Sequence, residues 1–381
     1  MTKKEFKDRY FNFEGLVILT FLSVFFPFYL TALVVIGLGF YILFSKKERK
    51  EVFKEKYFWL FVVFSIYSLI VGILNLNILG SLCAAFFFLV FLVAAYFKNT
   101  ISKELYERGL TVMIYGGAIT GVLTFIDFLI FSDFFTNTTP YRATLYFFNP
   151  NYLATLLSMA IIVCAYKVVC RKGSKLIYYI CAALCAIGVY LTGSLFALIE
   201  IFVGVAAVLL LSRRHHMLSI LLLLTATMCI VIYCVPEILP RLKQANITTE
   251  NRISIWLTSI EMIKKVFVFG QGYLTYFNFK SAFPGSYDTT HAHNFILEPL
   301  LSFGIIGTAL IVLFFIFFYK KVFICKNYQS KSKASCLVMA ISIAALVHAT
   351  TDMTLIWIQT ALMFSLILSG VGHEERLLKI Q

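Results

Sequence analysis

Charge is scarce in this sequence. Of 381 residues only 14% are charged, while 60% are hydrophobic and the mean hydropathy is +0.88. A soluble domain carries nearer a quarter of its residues as charges, so the composition argues against one. A Cys-x-x-Cys pair is also lacking. The nine cysteines (Cys83, Cys164, Cys170, Cys181, Cys185, Cys229, Cys234, Cys325 and Cys336) lie in or beside apolar runs, and none falls in the long polar segment 236–292. That excludes a disulfide framework and a zinc site and leaves small apolar core residues. No small-residue cleavage site follows the basic start MTKKEFKDRY, so the apolar run continuing to Phe44 reads as a retained anchor. No short alternating strands occur, which removes a membrane barrel. There is no internal repeat and no low-complexity tract.

What the chain does have is apolar runs of about 18 residues or more along its whole length, long enough to cross a bilayer. Backbone groups inside lipid need internal partners, so these runs must be helices. The expected fold is all-α: one polytopic membrane domain, 1–381, of about 12 transmembrane helices. Gly15–Phe44 is too long for one span, and Pro27 divides it near 13–27 and 28–45. Further spans fall near 57–74, 78–97, 109–131, 150–169, 176–192, 195–212, 217–235, 294–319, 334–350 and 354–370. With the N-terminus inside, 26 of the 33 Lys and Arg fall on inner segments, one (Arg142) in a short outer loop and six in 236–292. A split this uneven fits the positive-inside rule. The net charge of +14 therefore marks a cytoplasmic face rather than a nucleic-acid footprint. Both termini are expected in the cytoplasm and the chain in the cytoplasmic membrane.

The one large hydrophilic segment, 236–292, then faces outward. Within it TTENRISIWLTSIEMIKKVFVFGQG predicts an amphipathic helix, with Thr248 or Thr249 as cap, Glu250 in the first turn and Gly270 at its end. Ile253, Trp256, Leu257, Ile260 and Ile263 share one apolar face. Such a helix lies on the membrane surface or packs back on the bundle.

Chemistry concentrates at this outer face. His293 stands just before the tenth span, with His291 two residues earlier. A neutral imidazole accepts a proton near pH 7 without a large shift, although a histidine at a helix start also serves as a cap or interfacial residue. Asn294 follows directly. Glu298 sits about one turn below the surface, where a carboxylate must pair or face water. Gly304, Gly307 and Thr308 put small surfaces on the same helix. Asn149 as cap and Pro150 as first helical residue explain FNPNYL, with Asn151 free to meet a ligand or simply close the helix end. Asp352, between the last two spans, either orients His293 or marks a turn; His348, one turn deeper, is equally ambiguous. Asp127 and Glu200 are candidate buried acids. His215, His216 and His373 fall on the inner side. The outer acids Asp133, Glu237, Glu250, Glu261, Asp288 and Asp352 hold no Asp-x-Asp pair, and neither a metal nor another cofactor is expected.

HNFILEPLLSFGIIGT resembles the His-[Asn/Ser/Gln]-x9-Gly-x-x-Gly pattern of the O-antigen ligase and O-antigen (Wzy-type) polysaccharide polymerase superfamily. YRATLYFFNPNYLA, LTGSLFALIEI and NRISIWLTSIEMI with its following GQG resemble further segments of that family, so the likeness runs from about 141 to 315. One departure is Leu195, where many relatives carry an arginine after serine. The resemblance implies a GT-C-like glycosyltransferase that inverts at the sugar carbon, needs no nucleotide sugar and works on the outer face. Its donor would be a glycan on undecaprenyl pyrophosphate and its acceptor a hydroxyl of another glycan. His293 is then the base, Arg252 the cation on the leaving pyrophosphate, and Arg142, Asn151, Asn294, Trp256, Lys264 and Asp352 substrate contacts. Arg142, Arg252 or the Lys264–Lys265 pair would stand in for the missing arginine.

Polymerase is the leading reading, in capsular or O-antigen-type synthesis. A ligase moving glycan to a lipid or protein acceptor is its near neighbour. From another class, a flippase for lipid-linked sugars would want ionisable residues through the bilayer middle and repeated broken helices. The clustering of polar residues on one face favours the enzyme.

Overall fold

The computed structural model describes residues 13–54, 57–132, 141–170, 175–328 and 333–378. The basic start, Asp133 and the inner basic residues at 56, 171, 172, 331 and 379 lie outside these. Every described element is helical. In chain order they are α1 (Phe13–Ser23), α2 (Phe28–Phe44), α3 (Lys46–Val52), α4 (Phe58–Leu74), α5 (Ile78–Thr100), α6 (Lys103–Phe131), α7 (Pro150–Cys170), α8 (Leu176–Thr192), α9 (Leu195–Leu211) and α10 (His215–Cys234). There follow α11 (Ala245–Val266), α12 (Thr275–Phe279), α13 (Leu297–Tyr328), α14 (Ala334–Ala349), α15 (Ile358–Leu368) and α16 (Val371–Leu378).

A helix coincides with each expected span, because each apolar run carries its own stop. Pro27 begins α2 with an extended φ/ψ of −50° and 141°, Asn77 caps α5 by accepting from the Gly80 N–H at 2.8 Å, and Gly193 ends α8 in the left-handed region. Five helices (α5, α6, α7, α10 and α13) are long and apolar enough to cross a membrane by themselves. The others are shorter. An 11-residue helix such as α1 or α15 rises only about 16 Å, half the hydrocarbon thickness.

The core lies around α7, which is buried over nearly its whole length and packs against α6, α8, α9 and α15. Helix α10 is the opposite case, with no buried residue. Large apolar side chains such as Leu33, Ile119, Leu223 and Ile230 are exposed around the periphery. So large an apolar surface needs lipid around it.

Polar contacts between loops sort into two sets at opposite ends of the bundle. At one end Asn77 donates to the Gln271 and Tyr273 carbonyls, Arg142 to Thr192, Asn151 to Asp352 and Gln359 to Phe26. At the other end Tyr96 donates to Glu48, Lys167 to Glu107, Lys333 to Val169 and Arg376 to Lys98. Glu374, fully buried, accepts the Ala334 N–H at 2.9 Å at the start of α14. None of these bonds joins loops that the sequence puts on different sides.

Candidate functional site

A break in α13 shapes the site. Gly304 has φ 59° and ψ −171°, a conformation confined to glycine. The chain before it and after it accepts and gives hydrogen bonds to the turn that follows α11. Gln271 and Gly272 donate to the Ser302 carbonyl at 3.1 and 2.7 Å, and Ile305 donates to the Phe267 carbonyl at 2.8 Å. Tyr67 ties the two strips together, donating to the Phe269 and Phe303 carbonyls at 2.8 and 3.0 Å. Gly304 was expected to give a small surface for close backbone approach, and the Val268–Phe269 backbone does pack against it; it also interrupts the helix, so that the Gly-Gln-Gly turn can dock there.

The upper piece of α13 holds the histidine turn. The Asn294 side chain accepts from the Ile296 and Leu297 N–H groups at 2.9 and 3.1 Å, capping the helix. Glu298 does not seek a cation. Its carboxylate accepts the Ala292 N–H at 2.7 Å and the Ser302 hydroxyl at 3.0 Å, which fixes the chain between the two histidines. His293 sits there at φ 50°, an uncommon conformation for a residue with a Cβ.

Asp352, just past α14, organises both rings. His291 Nε2 lies 2.8 Å from its Oδ1, and His293 Nδ1 lies 3.0 Å from the same oxygen, though not aligned as a hydrogen bond. Asn151 donates to Oδ2 at 2.5 Å and in turn accepts from Arg142 at 2.7 Å. Asn149 caps α7 through the Asn151 N–H at 2.8 Å, as expected. A carboxylate only accepts, so the network assigns a proton to His291 Nε2 and favours one on His293 Nδ1. His293 Nε2 is then the lone-pair nitrogen, and the Thr289 hydroxyl stands 2.9 Å from it. His293, 17% exposed, lines the cavity described next, whereas His291, 1% exposed, does not.

His293 opens on a cavity of about 280 Å³. Arg142, Arg241 and Arg252 line it together with Asn151, Ser194, Leu195, Tyr287 and His348. Arg252 also lies 5.2 Å over the Phe196 ring. Burial, reinforced by Arg241 and Arg252 and opposed by Asp352, pushes Arg142 down to about 10. Burial likewise lowers Arg252 and Arg241. Burial alone would raise Asp352, but His293 and His291 outweigh it and hold the acid well below the usual carboxylate range. Three guanidinium groups around one space, each destabilised by burial, make a cavity suited to an anion with oxygen acceptors.

Five of the expected site residues thus meet here: Arg142, Asn151, Arg252, His293 and Asp352. Three do not line the cavity. Asn294 is used as the helix cap. Trp256 packs with Ile255, Met262 and Ile263 in a satellite core, its indole N–H without a partner among the described residues. Lys264 is exposed and paired with Glu261 at 2.6 Å, so neither it nor Lys265, which lies 4.3 Å over Phe283, stands in for the missing arginine at Leu195. Arg241 was not singled out, although it was one of only six cations in the long loop. Helix α11 also begins a turn earlier than expected. Thr248 and Thr249 donate back to Gln244 and Ala245 rather than capping. Its buried face is Ile255, Ser259, Met262 and Ile263, whereas Ile253, Leu257 and Ile260 are exposed.

His291, His293 and Asp352 offer three ligand atoms within 4.8 Å of one another, a donor set that would suit a transition metal. Asp352 Oδ1 already has His291 Nε2 as a hydrogen-bond partner, while His293 Nδ1 stands 3.0 Å from the same oxygen without hydrogen-bond alignment.

A polytopic helical membrane protein with a basic cavity and a carboxylate-held histidine at one end is the class that fold and site define. Residues 180–312 match the family model of the O-antigen ligases. That places the central segment, with Leu195, Arg241, Arg252, His293 and Gly304, in the O-antigen ligase family and supports a membrane function of ligase or polymerase type. Arg142, Asn151 and His348 complete the cavity from outside the matched stretch, and Asp352 holds Asn151 and His291 from behind it. No curated protein matches the chain.

Proposed function

We propose that this chain is a glycosyltransferase that polymerises oligosaccharide repeat units carried on undecaprenyl pyrophosphate, at the outer face of the cytoplasmic membrane. In this reading the apolar helices form twelve spans with both termini inside, and the cavity end of the bundle faces out. The observation that carries the proposal is His293 set between the Asp352 carboxylate and the Thr289 hydroxyl, beside three arginines. His293 Nε2 already holds a hydroxyl at 2.9 Å while its other nitrogen faces a buried carboxylate.

An acceptor sugar hydroxyl takes the place of Thr289. As its oxygen attacks the anomeric carbon from the face opposite the carrier, its proton passes to His293 Nε2. Asp352 steadies the imidazolium. The bond from the anomeric carbon to the pyrophosphate oxygen breaks, and the electron pair leaves on that oxygen. Arg142, Arg241 and Arg252 take up the growing negative charge, so the leaving group needs no acid. The sugar carbon is inverted.

Purified protein incubated with lipid-linked repeat units alone tests this. A ladder of longer glycans is expected, and His293→Ala abolishes it. Reaction only after a distinct lipid or protein acceptor is added would make the chain a ligase. Lipid-linked single units that accumulate on the inner face of cells carrying His293→Ala would make it a flippase.

A further inference from the structure

A second histidine–carboxylate pair borders the same cavity and has no part in the step above. His348, in the last turn of α14, places Nδ1 2.7 Å from Glu200 Oε2 and 3.2 Å from Thr155 Oγ1. Thr155 gives its own proton to Thr354 Oγ1, 2.9 Å away. With Glu200 ionised, both oxygens facing Nδ1 are acceptors, and the neutral ring then carries its proton on Nδ1. That leaves Nε2 as a lone-pair nitrogen. It is buried, it has no hydrogen-bond partner among the described residues, and His348 lines the cavity. Side-chain exposure of Glu200 and His348 is 0% and 1%. A carboxylate inside an apolar helix is costly to keep, and here its one strong contact orients an imidazole.

An unprotonated nitrogen repels phosphate oxygens, which are acceptors as well. It needs an O–H or N–H donor. The polyprenyl chain has none and the pyrophosphate has none when ionised; the saccharide has many. We propose that His348 Nε2 accepts a hydrogen bond from a hydroxyl or amide N–H of the bound glycan, so that the cavity reads sugar at His348 and pyrophosphate at its arginines. This rests on the glycosyl-transfer reading above and assigns Glu200 as the residue that positions the His348 ring.

The test uses the full chain in lipid nanodiscs and two probes. One is undecaprenyl pyrophosphate; the other is the lipid-linked oligosaccharide extracted from host cells lacking this protein. His348→Leu and His348→Met, both carried so that one folded variant suffices, should bind the saccharide-bearing probe about tenfold more weakly and bare undecaprenyl pyrophosphate as well as wild type. His348→Gln keeps an acceptor oxygen and should stay within about threefold of wild type in binding and turnover. Equal loss on both probes would mean a scaffold or phosphate role and overturn the assignment. No loss on either would mean an internally satisfied ring and overturn it too. Turnover abolished in His348→Gln with binding kept would make His348 a proton acceptor instead. If wild-type protein itself binds neither probe, the glycosyl-transfer reading fails, and that result does not depend on any variant.

Discussion

Replacing Asp352 by Asn tests the arrangement at its most connected atom. The side chain is 1% exposed and its two oxygens serve His291 at 2.8 Å, His293 at 3.0 Å and Asn151 at 2.5 Å. An amide has nearly the same shape but one acceptor fewer. If its oxygen stays on the histidine side, its NH2 meets the Asn151 NH2, donor against donor. If it turns, the NH2 faces both rings and forces each onto the opposite tautomer. His293 Nε2 then carries a hydrogen and cannot take a proton from a hydroxyl. A hydrogen bond to a charged group contributes about 1.5–3 kcal/mol, and breaking one side of a buried pair costs about 3–5 kcal/mol. Asp352→Asn should thus destabilise the protein by roughly 3 kcal/mol and slow glycan extension by about 10²–10⁴.

Initial rates on lipid-linked oligosaccharide and a thermal melt in detergent measure both, from pH 5 to 9. Because Asp352 is held well below the usual carboxylate range, it is ionised throughout that window and contributes no limb to the rate profile. Its stabilising effect is complete above the ordinary carboxylate pKa near 4 and is lost only as pH falls through the depressed native value. An Asp352→Asn enzyme within threefold of the wild-type rate would refute the argument, as would an acid limb above pH 5 that this substitution alone removes.

Three further outcomes follow from the same geometry. Arg241→Gln should cut turnover at least tenfold, about 1.4 kcal/mol of charge stabilisation, while Lys264→Ala should stay within about twofold because it removes only an exposed ion pair; equal effects of the two would undo the assignment of the cavity. Gly304→Ala forces a Cβ into a conformation costing about 1–3 kcal/mol and against the Val268 carbonyl, so its melting temperature and glycan yield should both drop, and a variant indistinguishable from wild type would contradict the helix break. Activity should survive exhaustive treatment with a chelator, since the proposed transfer takes its base from His293 and its charge stabilisation from the arginines; loss of activity that zinc or another divalent ion restores would make His291, His293 and Asp352 metal ligands instead.

How much was legible in the sequence depended on the kind of signal. Helix positions followed from apolar runs, and the Asn149–Pro150 start of α7 followed from its dipeptide. His293, Arg252, Arg142, Asn151 and Asp352 came together because loops assigned to one side meet at one end of the bundle. Of the apolar face read for helix α11, Trp256 and Ile263 pack into the satellite core while Ile253, Leu257 and Ile260 are exposed. Both of its sides carry large apolar residues, and periodicity cannot say which side a bundle will cover. Lys264 failed for a simpler reason: it lies twelve residues beyond Arg252, about 18 Å along the axis and a third of a turn around it. The break at Gly304 had no proline to announce it. His348 and Asp352 are four residues apart, a spacing that puts both on one side of a helix, and Glu200 was visible as an acid in an apolar run; only the fold says that it meets His348 rather than lipid.

Charge balance explains why these groups share one space. Arg142, Arg241 and Arg252 bring three positive charges to the cavity, and Asp352 is the fully buried acid that acts on two of them. Without an anion the arginines oppose one another, which is why burial together with Arg241 and Arg252 pushes Arg142 down to about 10. At neutral pH all three remain charged, so the strain is kept rather than relieved by losing a proton. In the proposed reaction a pyrophosphate group would supply the missing negative charge, and it would gain most when the sugar–oxygen bond breaks and one more charge develops on the leaving oxygen. Leu195 fits this scheme. A fourth cation there would over-balance the site before the substrate arrives, whereas Arg241, from the long loop, lines the same cavity and supplies a charge there.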